Sequence, residues 1–406
     1  MRIAYAFYWN GSRDGVTAKI ATQVALWREA GHDVGAFQLK RGSSSGAAAP
    51  GERLFGFTSA LRRVSATRRL AAALGDYRPD LLYLRYDLFV PPLRSLLSRF
   101  TSAVELNEGR AEYRLRGRAV AAYDGLNRRL TLAGANGLVA VTNEIIREHP
   151  LEGPWVVIGN GIDLRRYEPL PPTPGGRARA VFLGSAWLVW HGVDKIIELA
   201  RLLPEVDFDL IGPAPVDLPS APPNVHVHGH LSPGAYGPLL ARADVAIGTL
   251  AFHRAGLHEG SPLKTREYLA YGLPVVIGYR DTDFLDEHPW FLCELPNEDA
   301  GVDRDADRVR AFIEAVKGRR VPQAAVADRI GAVGKERRRL EFFARLVSGT
   351  DLPVRSGATP TEHTPDSGWI SPEVGGAGND EGSNRNPRDA RQNSERDEAE
   401  DAVGGD

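Results

Sequence analysis

Two carboxylates, Glu259 and Glu267, stand eight positions apart in the stretch His258-Glu259-Gly260-Ser261-Pro262-Leu263-Lys264-Thr265-Arg266-Glu267-Tyr268. Pro262 suits the start of a helix, and Gly272 suits the end of the one that Leu263–Tyr271 predicts. Glu259 then falls in the loop before that helix, and Glu267 falls inside it. The N–H groups of the first turn point at the same space, which suits an anion. Carboxylates for sugar and ribose hydroxyls, beside a place for phosphate, would suit a nucleotide-sugar.

The rest of the chain must position this segment. At 406 residues it exceeds one ordinary core, so two domains are expected. Arg2–Phe7 predicts a first strand and Val16–Ala30 a helix, with Val16, Ile20, Val24 and Trp27 on one face. Between them lies a loop holding Gly11 and Gly15, and His32–Leu39 predicts a second strand. The loop lacks the dinucleotide fingerprint spacing, which weakens a nicotinamide reading. Leu81–Arg85, Ala103–Leu106 and Gly137–Val141 continue the strands. Glu105, Asn107 and Glu108 mark a strand's carboxyl end, where such sheets place ligands. Glu168–Gly176 reads as a Pro-rich linker. The alternation then restarts with strands at Ala180–Leu183, Phe208–Ile211, Val225–His228 and Val245–Gly248, and with a helix at Val193–Leu203. Asp303–Lys317 and Ala324–Val347 read as helices. The expected class is α/β: two doubly wound Rossmann-like domains with a cleft between them. The expected bounds are 1–167 and 178–334, a linker at 168–177, and a terminal helix at 335–348 packing near the first domain. A disordered acidic tail is expected at 349–406.

Composition narrows the function classes. Hydrophobic content of 43% and aromatic content of 8% are ordinary for a globular protein. No apolar run is long enough to span a membrane. The first residues turn polar too soon for a signal peptide, and a single cysteine, Cys293, forms no internal disulfide. A cytoplasmic location is therefore expected. Residues 351–406 hold 13 acidic and 5 basic residues, which leaves 39 and 45 in 1–350. The body is thus +6 and the tail −8. A mildly basic body suits anionic ligands or an anionic membrane surface and is too weak to argue for nucleic acid.

Leu54–Leu74 predicts a basic helix carrying Arg62, Arg63, Arg68 and Arg69, read either as a solvated face or as a peripheral patch on an anionic bilayer. Arg110, Arg114, Arg116 and Arg118 fall in a loop, either solvated or an acceptor-binding flap. His226, His228 and His230 share one face of a strand, but no acidic or cysteine partner clusters with them, so no metal site is expected. Asp281-x-Asp283 reads as a capped turn. Trp187 and Trp190 either pack on the core or border the cleft.

With these residues in view, positions 1–348 resemble the retaining glycosyltransferases of family 4, which have the GT-B fold. The segment from Glu259 through Glu267-Tyr268-Leu269-Ala270-Tyr271-Gly272-Leu273-Pro274-Val275-Val276 is similar to that family's donor-site signature. Asn160-Gly161-Ile162-Asp163 resembles its domain-junction turn. Phe182-Leu183-Gly184-Ser185 with His191-Gly192 resembles its pyrophosphate loop, and Ala243-Asp244-Val245 its strand before the signature.

The resemblance implies transfer of a sugar from a nucleotide-diphospho-sugar to an acceptor hydroxyl, in glycan, glycolipid or exopolysaccharide synthesis, with no cofactor or metal. It implies Glu267 on ribose and Glu259 on the transferred sugar. It places Gly260, Ser261 and Leu263 near phosphate and sugar, Gly15 facing the diphosphate, and Gly212 and Leu231 near the base. Asn107 and Glu108 would stand on the side of the acceptor, be it glycan, lipid-linked or small-molecule. The family's usual Arg and Lys of the pyrophosphate loop are replaced by Ser185 and His191. Lys264 is the preferred substitute cation, Lys195 is a second candidate, and a protonated His191 would add to either. The other classes in play are an epimerase or phosphorylase on the same fold, and a non-catalytic sugar-nucleotide-binding protein.

Overall fold

The computed structural model describes residues 1–9, 15–42, 52–149, 153–173, 175–300 and 302–350. Most of the first glycine loop, most of Lys40–Glu52, and the tail from 351 lie outside the described residues.

The first half runs β1 (Arg2–Trp9), α1 (Gly15–Glu29), β2 (Asp33–Arg41), β3 (Glu52–Phe57), α2 (Ala60–Tyr77), β4 (Leu81–Arg85) and α3 (Pro92–Arg99). It continues with β5 (Ser102–Leu106), α4 (Arg110–Leu115), α5 (Arg118–Leu132), β6 (Gly137–Ala140), α6 (Asn143–Arg147) and β7 (Trp155–Val157). Its strands form a parallel sheet in the order β3-β2-β1-β4-β5-β6-β7. Apolar side chains cover both faces, which is why the central strands read as unbroken hydrophobic runs.

The second half holds β8 (Arg179–Leu183), α7 (Val193–Leu202), β9 (Asp207–Ile211), β10 (Val225–Gly229), α8 (Pro233–Ala241), β11 (Val245–Ile247), β12 (Glu259–Gly260) and α9 (Leu263–Ala270). Then follow β13 (Val275–Ile277), β14 (Arg280–Asp281), β15 (Leu292–Glu294), α10 (Ala306–Val316), α11 (Gln323–Ile330) and α12 (Ala332–Ser348). A second parallel sheet has the order β10-β9-β8-β11-β13-β15, while β12 and β14 pair separately. Each large sheet reverses its strand order beside its first strand, at β1/β4 and at β8/β11. In such sheets the crevice at that reversal is where ligands sit.

Helix α12 reaches back to the first sheet. Phe342 and Phe343 enter its core, where Phe343 meets Trp27 edge-on. Glu336 accepts hydrogen bonds from Trp27 Nε1 and Gln23 Nε2, and Arg339 pairs with Glu336.

Several expectations are corrected. Leu54, Phe55 and Phe57 belong to strand β3, and the basic helix starts only after Ser59, whose side chain caps Arg62 N. These β-formers pair with β2, so Phe57 is buried and unavailable to a membrane. The Arg110–Arg118 stretch is not a loop. Glu112 bonds Gly109 N and starts α4, and α5 follows from Arg118. The Ala324–Val347 helix is broken at Gly331, where a Cβ would stand 2.4 Å from the Ala327 carbonyl. The histidines on β10 do have acidic neighbours. His228 lies 2.6 Å from Asp209 and His226 3.8 Å from Asp207, both on the adjoining strand β9. Arg179 pairs with both aspartates, so these groups neutralise one another. Among the described residues no group of three or more His, Cys, Asp or Glu is placed to hold a metal ion.

Gly212 is a position where only glycine fits. Its φ is +114°, and a Cβ would stand 1.6 Å from the Gly184 carbonyl oxygen. Gly212→Ala must therefore push the two strand ends apart. A loss of at least about 3 kcal/mol is expected, read as a fall in the denaturation midpoint of the purified chain.

Candidate functional site

Helix α1 and helix α9 meet at their starts. A Cβ on Gly15 would touch Leu263 Cδ1 at 3.0 Å, so glycine lets the two sheets' helices close on each other. Beside this contact opens a cavity of about 500 Å³, counted with its mouth. Gly15, Lys19, Arg166, Tyr167, Leu263 and Glu267 line it. Three expected donor residues, Gly15, Leu263 and Glu267, are thus brought together. The Glu267 carboxylate accepts a 2.7 Å hydrogen bond from the Tyr236 hydroxyl. Burial raises its pKa, and that hydrogen bond works against the rise.

Lys264 points the other way, toward the end of β8. Its ammonium is out of solvent, has no hydrogen-bond partner among the described residues, and stands 4.7 Å over the Phe182 ring. Burial alone lowers its pKa to about 7. His191 and Ser185 share this corner. His191 Nδ1 lies 3.0 Å from Ser185 N and 3.1 Å from its carbonyl. Burial, and then the Lys264 charge, push the His191 pKa down to about 3, so its expected protonation would need the charge of a bound phosphate. Two adjoining cations repel, and the imidazole is the one that stays neutral. Lys195 is turned aside, its ammonium donating to the Glu298 carbonyl. Trp187 is exposed, whereas Trp190 packs against the second core.

Glu259 is engaged across the cleft. Its carboxylate accepts from Asn143 N at 2.9 Å, Asn143 Nδ2 at 3.0 Å and Glu144 N at 3.3 Å, at the start of α6. Glu144 returns the contact, accepting from His258 N and Glu259 N. The two carboxylates clasp the two halves of the molecule.

Ser261 also ties the halves together. Its hydroxyl accepts from Asn160 N at 2.7 Å and from Arg266 Nη2 at 2.8 Å. Gly260 lies under Phe252, where a Cβ would stand 2.3 Å from the ring. Gly212 abuts the Gly184 turn, and Leu231 packs on the second core and does not line the cavity.

On the first sheet, Asn107 Oδ1 accepts from Lys19 Nζ at 3.1 Å, while its buried Nδ2 has no partner among the described residues. Glu108 pairs with Arg116. Lys19 escapes the sequence reading. It pairs with buried Glu105 at 2.8 Å, and burial, opposed by that pairing, lowers its pKa to about 8. Burial alone would raise the Glu105 carboxyl, but Lys19, Arg85 and Arg339 hold it well below the usual range. The available signal was a lysine on the inner face of a helix, one turn from Gln23 and opposite a strand-end carboxylate.

Arg266 is likewise missed, and it carries the local architecture. Its guanidinium makes two hydrogen bonds to Asp281 at 2.7 and 2.8 Å, meets Asp283 at 2.7 Å, and donates to the Asn160 carbonyl. Lys335 of α12 completes the cluster at 2.5 Å from Asp283. Asp281-x-Asp283 is therefore not merely a capped turn. It is the counter-charge of α9.

No family model and no curated protein matches this chain. Solved structures do. One is the lipopolysaccharide outer core galactosyltransferase WaaB in its apo form, with a TM-score of 0.63 at 14% identity over 86% of this chain and 99% of that one. Another is Anabaena HepE in complex with UDP-glucose, with 0.60 at 14% identity over 84% and 99%. A third is a glycosyltransferase from Rickettsia africae, with 0.58 at 12% identity over 86% and 100%. At this identity the likeness is one of architecture: the chain has the two-domain GT-B fold.

Proposed function

We propose that this chain is a retaining glycosyltransferase of family 4 that moves a sugar from a nucleotide-diphospho-sugar to an acceptor hydroxyl. The observation that carries the reading is the buried Lys264 ammonium, unpaired among the described residues, at the end of β8 beside the Gly184–Ser185 turn. A desolvated cation without a counter-ion is costly, and a diphosphate would supply the missing charge. The fold supports the same reading, as do neighbours solved with UDP-glucose and with UDP.

In this reading Glu267 receives ribose hydroxyls in the cavity it lines. Lys264 and the first-turn N–H groups of α9 neutralise the leaving diphosphate as the glycosidic bond breaks. The departing phosphate oxygen takes the acceptor's proton on the same face of the sugar, which gives retention. The protein contributes position and charge. Glu259 holds the sugar's hydroxyls in place of the amide groups of Asn143 and Glu144 that it now binds. Donor binding therefore loosens one strand of the clasp between the halves.

A panel of nucleoside diphosphates and their sugars, read as thermal shift, tests the reading. At least one should raise the midpoint by several degrees. Proton NMR of the sugar released or transferred should show the donor's anomeric configuration. Stabilisation by no member of the panel would defeat the proposal, and an inverted product would defeat retention.

A further inference from the structure

We infer that Tyr236 of α8 is a positioning residue for donor selection: its hydroxyl fixes one oxygen of Glu267 and leaves the other for the vicinal diol of a ribonucleotide, so that 2′-deoxyribonucleotides are rejected. This role rests on the transfer reading above and adds a residue and a donor class to it.

Glu267 lines the cavity and Tyr236 does not. The Tyr236 hydroxyl donates to Glu267 Oε1 at 2.7 Å. Among the described residues Oε2 has no hydrogen-bond partner, and no cation pairs with either oxygen. A half-buried carboxylate with one phenol for a partner has acceptor capacity left over. Two neighbouring hydroxyls of one ribose supply neutral donors at the span of a single carboxylate. A donor lacking the 2′-hydroxyl leaves part of that capacity unmet in a desolvated place. That is the case in which hydrogen-bonding pockets discriminate most strongly.

Helix α8 gives the ring little support of its own. Gly234 and Gly237 flank Tyr236, Pro238 follows, and a Cβ on either glycine would meet nothing within 4 Å. The second core beneath the ring and the Glu267 carboxylate therefore set its place. Tyr271 at the end of α9 and Tyr167 at the domain junction stand close by, edge to face at 5.0 Å. Burial, and then the Glu267 charge, raise the pKa of all three phenols, so all three face that carboxylate as neutral groups. Lys19, Asp163 and Arg166 line the same cavity. Burial raises the Glu267 pKa, and the Tyr236 hydrogen bond opposes the rise. Without that bond the carboxyl takes up its proton at higher pH. A protonated carboxyl then presents a donor where the diol needs an acceptor.

The test is isothermal titration of the full chain with UDP, GDP and ADP and with their 2′-deoxy counterparts, from about pH 5 to 8. The parent should prefer the ribonucleotide it binds by about tenfold or more. Tyr236→Phe keeps the ring and should cut that preference to about threefold or less. Its affinity for the ribonucleotide should also fall away at a higher pH than the parent's. Glu267→Gln supplies the baseline, since the pH dependence it retains belongs to the diphosphate and to Lys264 and Lys19. Equal binding of ribose and deoxyribose forms by the parent would overturn the donor class. A Tyr236→Phe variant with the parent's preference and pH profile would overturn the positioning role and leave a bond that merely pins α8, while the transfer reading stands. Binding of no nucleoside diphosphate would defeat the transfer reading and this role with it.

Discussion

Replacing Lys264 by methionine will stabilise the donor-free protein and cripple its turnover. The two effects have one cause. Among the described residues the buried ammonium has only the Phe182 face and neutral His191 for company, so the fold bears the cost of its charge. Removing it should recover about 1–4 kcal/mol. The pH dependence follows in sign. The native pKa is lowered to about 7 from the ordinary 10.5. Below about pH 7 both native and unfolded states carry the proton, and the whole penalty is present. As pH rises toward 10.5 the unfolded state holds the proton longer, so the parent gains stability. The advantage of the methionine variant should therefore be largest below pH 7 and shrink as pH rises, in paired urea titrations. Turnover with saturating donor should fall about 10²–10³-fold, the usual effect of losing a group that stabilises developing negative charge. A stability gain with unchanged turnover would leave Lys264 as a misfit of packing and nothing more.

Asp281→Ala will be strongly destabilising. Asp281 is 1% exposed and holds both terminal nitrogens of fully buried Arg266. Without it Arg266 keeps, among the described residues, Asp283, Ser261 and a carbonyl, and Asp283 must also serve Lys335. Leaving a buried charge half-compensated should cost about 3–5 kcal/mol. Arg266→Met on the same background should recover part of that loss, because the stranded charge goes with it. Urea midpoints of the single and double variants measure this directly. A double variant worse than the single would mean that Arg266 contributes packing and not a paired charge. The cluster also joins α9 to α12, so Asp281→Ala should weaken ligand binding in proportion to the mobility it gives α9.

These two residues show what the sequence made legible. The α/β alternation and the glycine-closed end of α9 followed from apolar periodicity and from Gly and Pro placement, which are local signals. Glu259 and Glu267 were visible for the same reason, since their spacing lies within one segment. The partners were not. Lys264 meets a ring at position 182, Arg266 meets Asp281 through the β12–β14 pairing, and Glu259 meets the start of α6 more than a hundred residues earlier. Such contacts are set by how the two sheets close, and no periodicity reports it. Helices α4 and α5 were passed over because arginine-rich sequence with outward leucine does not show the inward apolar stripe of an ordinary surface helix. Lys19 was hidden in plain helix, its role fixed by Glu105 on a strand far along the chain.

The account turns on Lys264 awaiting a diphosphate. Isothermal titration of the full chain with the nucleoside diphosphate that stabilises it, at pH 8 in two buffers of different ionisation enthalpy, tests this most directly. The anion should return the proton that burial has removed, so binding should take up close to one proton. Lys264→Met should bind at least about tenfold more weakly and take up none. Equal affinity in the variant, or binding without proton uptake in the parent, would contradict the account.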